Sequence, residues 1–288
     1  MEIKTITIME NVAKNHKIEE IKLIKTHGGL FHADEVCCVA ILRMLGCTAY
    51  VDRVFKLDGD EDESVLTLDI LGAKFDHHMA KDMCPAYEDG THYASFGLLC
   101  QHLGLTEVCG EEFAAFVKAV DNSDNGEGET RPYISEVVSS FNPSWNEDGS
   151  PLARKEAFEQ AVDIAKTLLE RVIISSVAKA EADAIATEAL EKSTDAVVEL
   201  EKFVPWEGII TADKGKKVVV FKGLRNDWNA RLVPVEPGSF ETAAHFPKEW
   251  WGATEENLPE GITFCHASGF MLAGTTREAV LAAARMAE

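Results

Sequence analysis

The stretch IKLIKTHGGLFHADEV, residues 21–36, decides how the chain begins to fold. From Ile21 to Lys25 a short β-type run leads into Thr26-His27-Gly28-Gly29, a polar turn, and Asp34 and Glu35 then open a helical pattern reaching about Leu45. Strand, turn and helix in that order begin an α/β unit. Carboxylates in a first helical turn complement the helix dipole, so Asp34 has a capping role open to it beside any chemical one.

Working outward, further β-type runs cover Ala49–Phe55 and Val65–Ile70, the latter nearly continuous apolar sequence interrupted at Asp69, as buried parallel strands are. A short fourth segment, Ala73–Phe75, delivers Asp76-His77-His78. Helices are expected from Tyr93 to Leu103 and from Glu111 to Val120, the second ending at Asp121. Strands alternating with helices imply a parallel α/β sheet, whose polar strand-end residues converge on one crevice. The Ala-, Glu-, Leu- and Lys-rich stretch 151–192 reads as one long helix or a helical pair. Short β-type runs at Val197–Phe203, Lys217–Phe221, Ala230–Val235 and Thr263–His266, then a helix over Thr276–Ala287, suggest a smaller α+β domain. The expected division is an extension over 1–20, a metal-binding catalytic domain over 21–150, a helical connector over 151–192 and a substrate-binding domain over 193–288.

With 288 residues, 46% hydrophobic and 27% charged, the chain has globular composition. Its 49 acids against 28 bases give a formal charge of −21, which argues against tracking along extended nucleic acid without bound cations or a local basic groove. Seven cysteines without a CxxC pair read as reduced, buried thiols. No secretion signal and no long apolar run is recognised, so a cytoplasmic protein with no membrane partner is expected. Turns over Pro234–Gly238 are the candidate for an interface between copies of the chain.

Four of nine histidines fall between positions 27 and 78, each within two residues of Asp or Gly near a strand end. Imidazole nitrogen with carboxylate oxygen suits Mn²⁺, Zn²⁺ or Fe²⁺, and the lack of cysteine pairs argues against a structural zinc site. The spacing HxxxxHxD lets one loop present His27, His32 and Asp34; Asp69 faces them from the third strand; Asp76-His77-His78 and Asp121 add two further sources. Two metals about 3.5–4 Å apart polarise a phosphoryl oxygen and bring a bound water to a pKa near 7, so phosphoester hydrolysis is the natural use. His16, His92, His102 and His245 lack such context and read as structural or exposed, and Cys37-Cys38 as packing.

The strings THGGLFHADE, TLDILG, FDHH, VDNSDNG, FNPSWN, VPVEP, FCHASGF and TTREA together resemble the Myg family of DHH-type exonucleases (UPF0160 type), within the DHH phosphoesterase superfamily, from about Lys22 to the C-terminus. The resemblance implies a dinuclear site, most often manganese with Mg²⁺ or Zn²⁺ as alternatives, held by His27, His32, Asp34, Asp69, His77 and Asp121, with Asp76 and His78 in catalytic roles. Asp124 competes with Asp121. It also implies 3′–5′ exonuclease action on RNA, with His266, Ser268, Gly269 and Arg277 near the phosphate and Arg231 and Arg53 assisting. HASGF also reads as a strand followed by a tight turn. Where relatives commonly carry a second arginine after Arg53, this chain has Phe55. Rival readings are a small-nucleotide or pyrophosphate hydrolase, which the acidic charge favours, and a non-catalytic metal-binding interaction module. Model histidine titrates near about 6.5, so acidification through about pH 6 is expected to release metal and stop activity together.

Overall fold

A computed structural model describes residues 3–57, 62–78, 83–128 and 132–288. It divides into two compact units, Met1–Val177 and Ala178–Glu288.

The first unit opens with α1 (Ile3–Asn15), whose Met9 and Val12 are buried in the unit's main core. Then follow β1 (Leu23–His27), α2 (Ala33–Met44), β2 (Tyr50–Val54) and β3 (Val65–Thr67). The strands form a parallel sheet in the order β2-β1-β3, in register from Leu23 opposite Tyr50 and Val65. All three strands therefore end along one edge, which carries His27, Val54 and the residues just beyond Thr67. α2 has Ala33 through Leu42 buried, as a helix with apolar residues all round should be. No strand forms at 73–75: Gly72, at φ +87°, reverses the chain so tightly that Phe75 makes one parallel bridge, to Leu68.

α3 (Ser95–His102), α4 (Leu105–Val108), α5 (Glu111–Asn125) and α6 (Pro132–Ser139) follow, and α2 packs against α3, α5 and α6. α5 continues beyond Val120 and is closed by Gly126 at φ +65°, whose N–H returns to the Asn122 carbonyl. Asp121 thus sits inside the helix and Asp124 in its last turn, a correction to the expected helix end.

α7 (Pro151–Lys192) is one unbroken helix of 42 residues. Phe158, Ala161, Leu169 and Ile173 enter the first unit's core, Ala182 and Ala186 a core of the second, and the border between units falls within the helix. The second unit carries β4 (Val197–Leu200), β5 (Val218–Lys222), β6 (Trp228–Leu232), β7 (Ile262–Cys265), β8 (Met271–Gly274) and α8 (Arg277–Ala284). Its sheet has the order β4-β5-β6-β8-β7, parallel only between β4 and β5. The architecture is mixed α/β: a parallel sheet near the N-terminus, helices in the middle and a smaller mixed sheet after them. All seven cysteines are free thiols, and among the described residues no helix is long and apolar enough to cross a membrane.

Candidate metal centre

His27 closes β1 at the sheet edge. Its Nδ1–H donates to the Gly28 carbonyl at 2.8 Å, which leaves Nε2 facing Glu35 Oε1 at 2.8 Å and Asp69 Oδ2 at 3.1 Å. Neither of those contacts has hydrogen-bond alignment. A neutral imidazole held in this tautomer aims a lone pair at two carboxylate oxygens, an arrangement that only a proton or a metal cation makes attractive. Asp69 lies two residues past β3 at φ +47°, a left-handed conformation rarely adopted by non-glycine residues and tolerated best by Asn and Asp. Such strain collects at functional sites. Here it brings a buried carboxylate to the edge that also carries His27.

His77 arrives on the same carboxylate from the other side. Its Nε2 is 3.1 Å from Asp69 Oδ1, 3.3 Å from Asp124 Oδ2 and 3.8 Å from Asp34 Oδ2. Its Nδ1–H donates to Asn125 Oδ1 at 3.1 Å, and the Asn125 amide donates to the His92 carbonyl. Orienting partners of this kind are what metal-binding histidines use. His92 in turn donates from both its main chain and its ring to Glu127. Asp76 is occupied otherwise: it accepts from the main-chain N–H groups of Gly72 and His78 and, at 3.0 Å, from His78 Nδ1. It shapes the loop and orients His78, whose half-exposed ring lies 3.6 Å from Asp69 Oδ1 through Nδ1.

Asp34, fully buried in the first turn of α2, has no well-aligned hydrogen-bond partner on either oxygen among the described residues. An uncompensated buried carboxylate is costly, and four acids, Asp34, Glu35, Asp69 and Asp124, gather here. Titration follows from that crowding. Burial and the Asp69 charge raise Asp34; burial and Asp34 raise Glu35 well above its ordinary range; burial, with Asp34 and Asp69, lifts Asp124 to about 8. Despite burial, Asp69 is held well down by His27 and His77. Burial lowers the two imidazoles, yet the Asp69 and Glu35 carboxylates carry His27 to about 11, and Asp69 with Asp34 and Asp124 carries His77 to about 9. Protons are standing where cations would serve.

The donors fit a metal. Among the described residues three sets bring ligand atoms within 4.8 Å of one another: His27, His32, Glu35 and Asp69; Asp69, His77 and His78; and His32, Asp34 and Asp124. Asp69 belongs to two of the sets and His32 to two, and the nitrogen-plus-carboxylate chemistry is that of Mn²⁺, Fe²⁺ or Zn²⁺. A cavity of about 540 Å³, lined by His32, His77, His78, His92 and Asp124 among others, opens on this cluster.

At one position the structure favours the alternative that the sequence left open, and at another it adds a residue. Asp121 is fully buried and belongs to none of the sets, its Oδ2 accepting from the Tyr87 hydroxyl at 2.6 Å and its Oδ1 from Gly97 N–H at 2.9 Å. It ties α5 to α3 so closely that a Cβ on Gly97 would lie 1.8 Å from Asp121 Oδ2. Asp124, one helical turn on, faces the donors instead. Glu35 is the residue that sequence reasoning missed. Both its oxygens accept from His32 N–H at 3.0 Å, closing the helix start, while Oε1 reaches His27. Its signal was its place beside Asp34 in the first helical turn, where complementing the helix dipole already accounts for a carboxylate. Accordingly, Asp121→Ala should cost about 1–3 kcal/mol of stability, from unpaired Tyr87 and Gly97 donors, with metal uptake retained. Asp124→Ala should weaken metal binding by at least about a hundredfold with little loss of stability. Chemical denaturation and metal titration of both variants check the pair.

The family model for the MYG1 exonucleases, described as an uncharacterised protein family (UPF0160), matches residues 23–287. The chain belongs to that family. It is 29% identical to MYG1 exonuclease of Mus musculus, covering 91% of this chain and 83% of the mouse protein. It is 29% identical to a MYG1 protein of Schizosaccharomyces pombe, covering 92% and 96%, and 28% identical to MYG1 exonuclease of Homo sapiens, covering 91% and 84%. No solved structure matches it.

In this MYG1-family chain the remaining expected site residues lie elsewhere. Arg53, on β2, donates from Nη2 to the Gly29 carbonyl at 3.2 Å. His266, Ser268 and Gly269 form the tight turn between β7 and β8: His266 Nδ1 lies 2.8 Å from Ser268 Oγ, and Gly269, at φ +68°, packs under Trp251. Arg231 stands near that turn, opposite Met271 and within 5.9 Å of the Phe270 ring, and is paired with Glu207 at 2.8 Å. Arg277 follows the far end of β8 and is paired with Glu199 of β4. The second unit therefore groups Arg231 with His266 and Ser268 and separates Arg277 from them.

Proposed function

We propose that the chain is a metal-dependent phosphoesterase, acting as a 3′–5′ exonuclease on RNA or short oligonucleotides with two divalent ions, manganese first among them. The observation that carries this reading is Asp69, a buried carboxylate shared by two donor sets at a strained strand end. His27, His32, Glu35, Asp69, Asp34, His77 and Asp124 are the residues that would hold metal. When bound, two such ions neutralise phosphoryl charge and make water nucleophilic near neutral pH.

The chain's own side chains do the rest. Gly28 and Asn125 fix the tautomers of His27 and His77, and so the atoms offered. Asp76 holds the His78 Nδ1 proton, which leaves Nε2 to exchange a proton with a phosphoryl oxygen or leaving group at the cavity. Arg231, with His266 and Ser268, is the group in the second unit suited to a phosphate.

The test uses manganese-reconstituted protein with oligoribonucleotides labelled at either end. Stepwise shortening from the 3′ end, lost in chelator and restored by Mn²⁺, is expected. Cleavage confined to free nucleotides or pyrophosphate would assign the small-molecule reading, and no cleavage even of an activated aryl phosphodiester would assign a binding module.

A further inference from the structure

The sheet edge that ends in His27 also walls a second cavity, of about 580 Å³, on the β2 side. Gly28 and Gly29 line it, while His32, in the same turn, lines the cavity at the metal centre. In a chain of formal charge −21, its lining is unusual: Arg53, Arg154 and Lys155 outnumber Asp52 and Glu159. None of the three cations is paired with a carboxylate among the described residues. Arg53 lies over the Phe31 and Phe158 rings at 5.2 and 4.8 Å, and its buried Nε has no partner among the described residues. Arg154 Nε donates to the Gly149 carbonyl at 2.9 Å, and Lys155 Nζ stands 4.3 Å above the Tyr50 ring. Both belong to the first turns of α7, whose N-terminal end adds positive dipole.

Beside these cations stands an apolar plate. Phe55 is 86% exposed, and its ring lies against the backbone turn, 3.2 Å from where a Gly28 Cβ would be. Leaving such a ring in water forgoes burial, whereas a flat apolar face beside unpaired cations matches a phosphate joined to a planar base. The volume lies within the range that ordinary ligand sites occupy, about 300–1,000 Å³.

We propose that this cavity is a nucleotide subsite, with phosphate on Arg53, Arg154 and Lys155 and the base on Phe55. It rests on the phosphoesterase reading for its purpose, which is to seat one nucleotide unit of the substrate beside the metal centre. Its occupation needs no metal.

The experiment is calorimetric titration of the full chain, in excess chelator, with adenosine monophosphate, inorganic phosphate and adenosine. Adenosine monophosphate is expected to bind saturably and at least about tenfold more tightly than either fragment. Phe55→Ala and Lys155→Glu, both at exposed side chains, should each weaken it by about tenfold, and only Lys155→Glu should also weaken phosphate. Unchanged thermal melting of both variants verifies folding. No saturable binding to the metal-free chain, equal affinity for phosphate and nucleotide, or binding indifferent to both substitutions would each overturn the proposal. Because the titration involves neither metal nor turnover, its failure is separable from that of the hydrolase reading. A chain that binds the nucleotide as stated yet cleaves nothing supports the subsite while defeating that reading alone.

Discussion

Asp69→Asn should leave a folded protein that has lost at least about a thousandfold in phosphodiester turnover, the equivalent of about 4 kcal/mol of transition-state stabilisation. Asparagine suits the test because it tolerates the left-handed backbone at φ +47° and keeps the shape of the side chain. What it removes is the charge that two donor sets share. Metal titration should therefore show weakening at every bound ion, where Asp124→Ala weakens one. Wild-type turnover in the Asn variant, or loss confined to a single ion, would contradict a role for this carboxylate in both donor sets.

The second large effect is on pH dependence. In the metal-free protein, Asp124 is raised to about 8, His77 to about 9 and His27 to about 11, while Asp34 and Glu35 are raised as well. Every one of these groups keeps its proton in the folded state at pH values where the unfolded chain has released it. Stability from the acids is full below about pH 4 and declines as pH climbs through the folded values; that from the two histidines is full below about pH 6.5 and declines likewise. Asp69 acts oppositely, since its depressed value contributes above about pH 4 and loses that contribution only in stronger acid. The metal-free protein should thus melt at lower temperature at about pH 8.5 than at about pH 5.5. A divalent cation replaces the same protons, so its binding should tighten over that interval and release protons to the buffer. At a hundred times its dissociation constant it should restore about 2.7 kcal/mol. Thermal melts with and without Mn²⁺ at both pH values measure this, and a metal-free melting point that climbs with pH would refute it.

Much of the centre could be read from residue order because its parts are local. A strand that ends in His27, a turn carrying two glycines and a helix opening at Asp34 leave few ways for those side chains to lie, and Asp76-His77-His78 follows Asp69 through one short loop. What was not legible depended on tertiary support. Asp121-Asn-Ser-Asp-Asn contains poor helix formers, so the sequence pattern stopped α5 at Val120; packing against α2 and α3 and the Gly126 cap carry it one turn further, exchanging Asp121 for Asp124. Glu35 was hidden by a sufficient local explanation. β8 escaped because Met271-Leu-Ala-Gly274 has no β-branched residue, and its pairing on both sides supplies what propensity lacks.

The continuity of α7 bears on any attempt to obtain the two units as separate pieces. A cut at the border after Val177 would pass through an intact helical ladder, leaving four main-chain carbonyls bare on one fragment and four amide hydrogens on the other. Fragments that overlap, one retaining the helix through Lys192 and the other starting at Pro151, keep whole turns beyond each core and are the pieces to express.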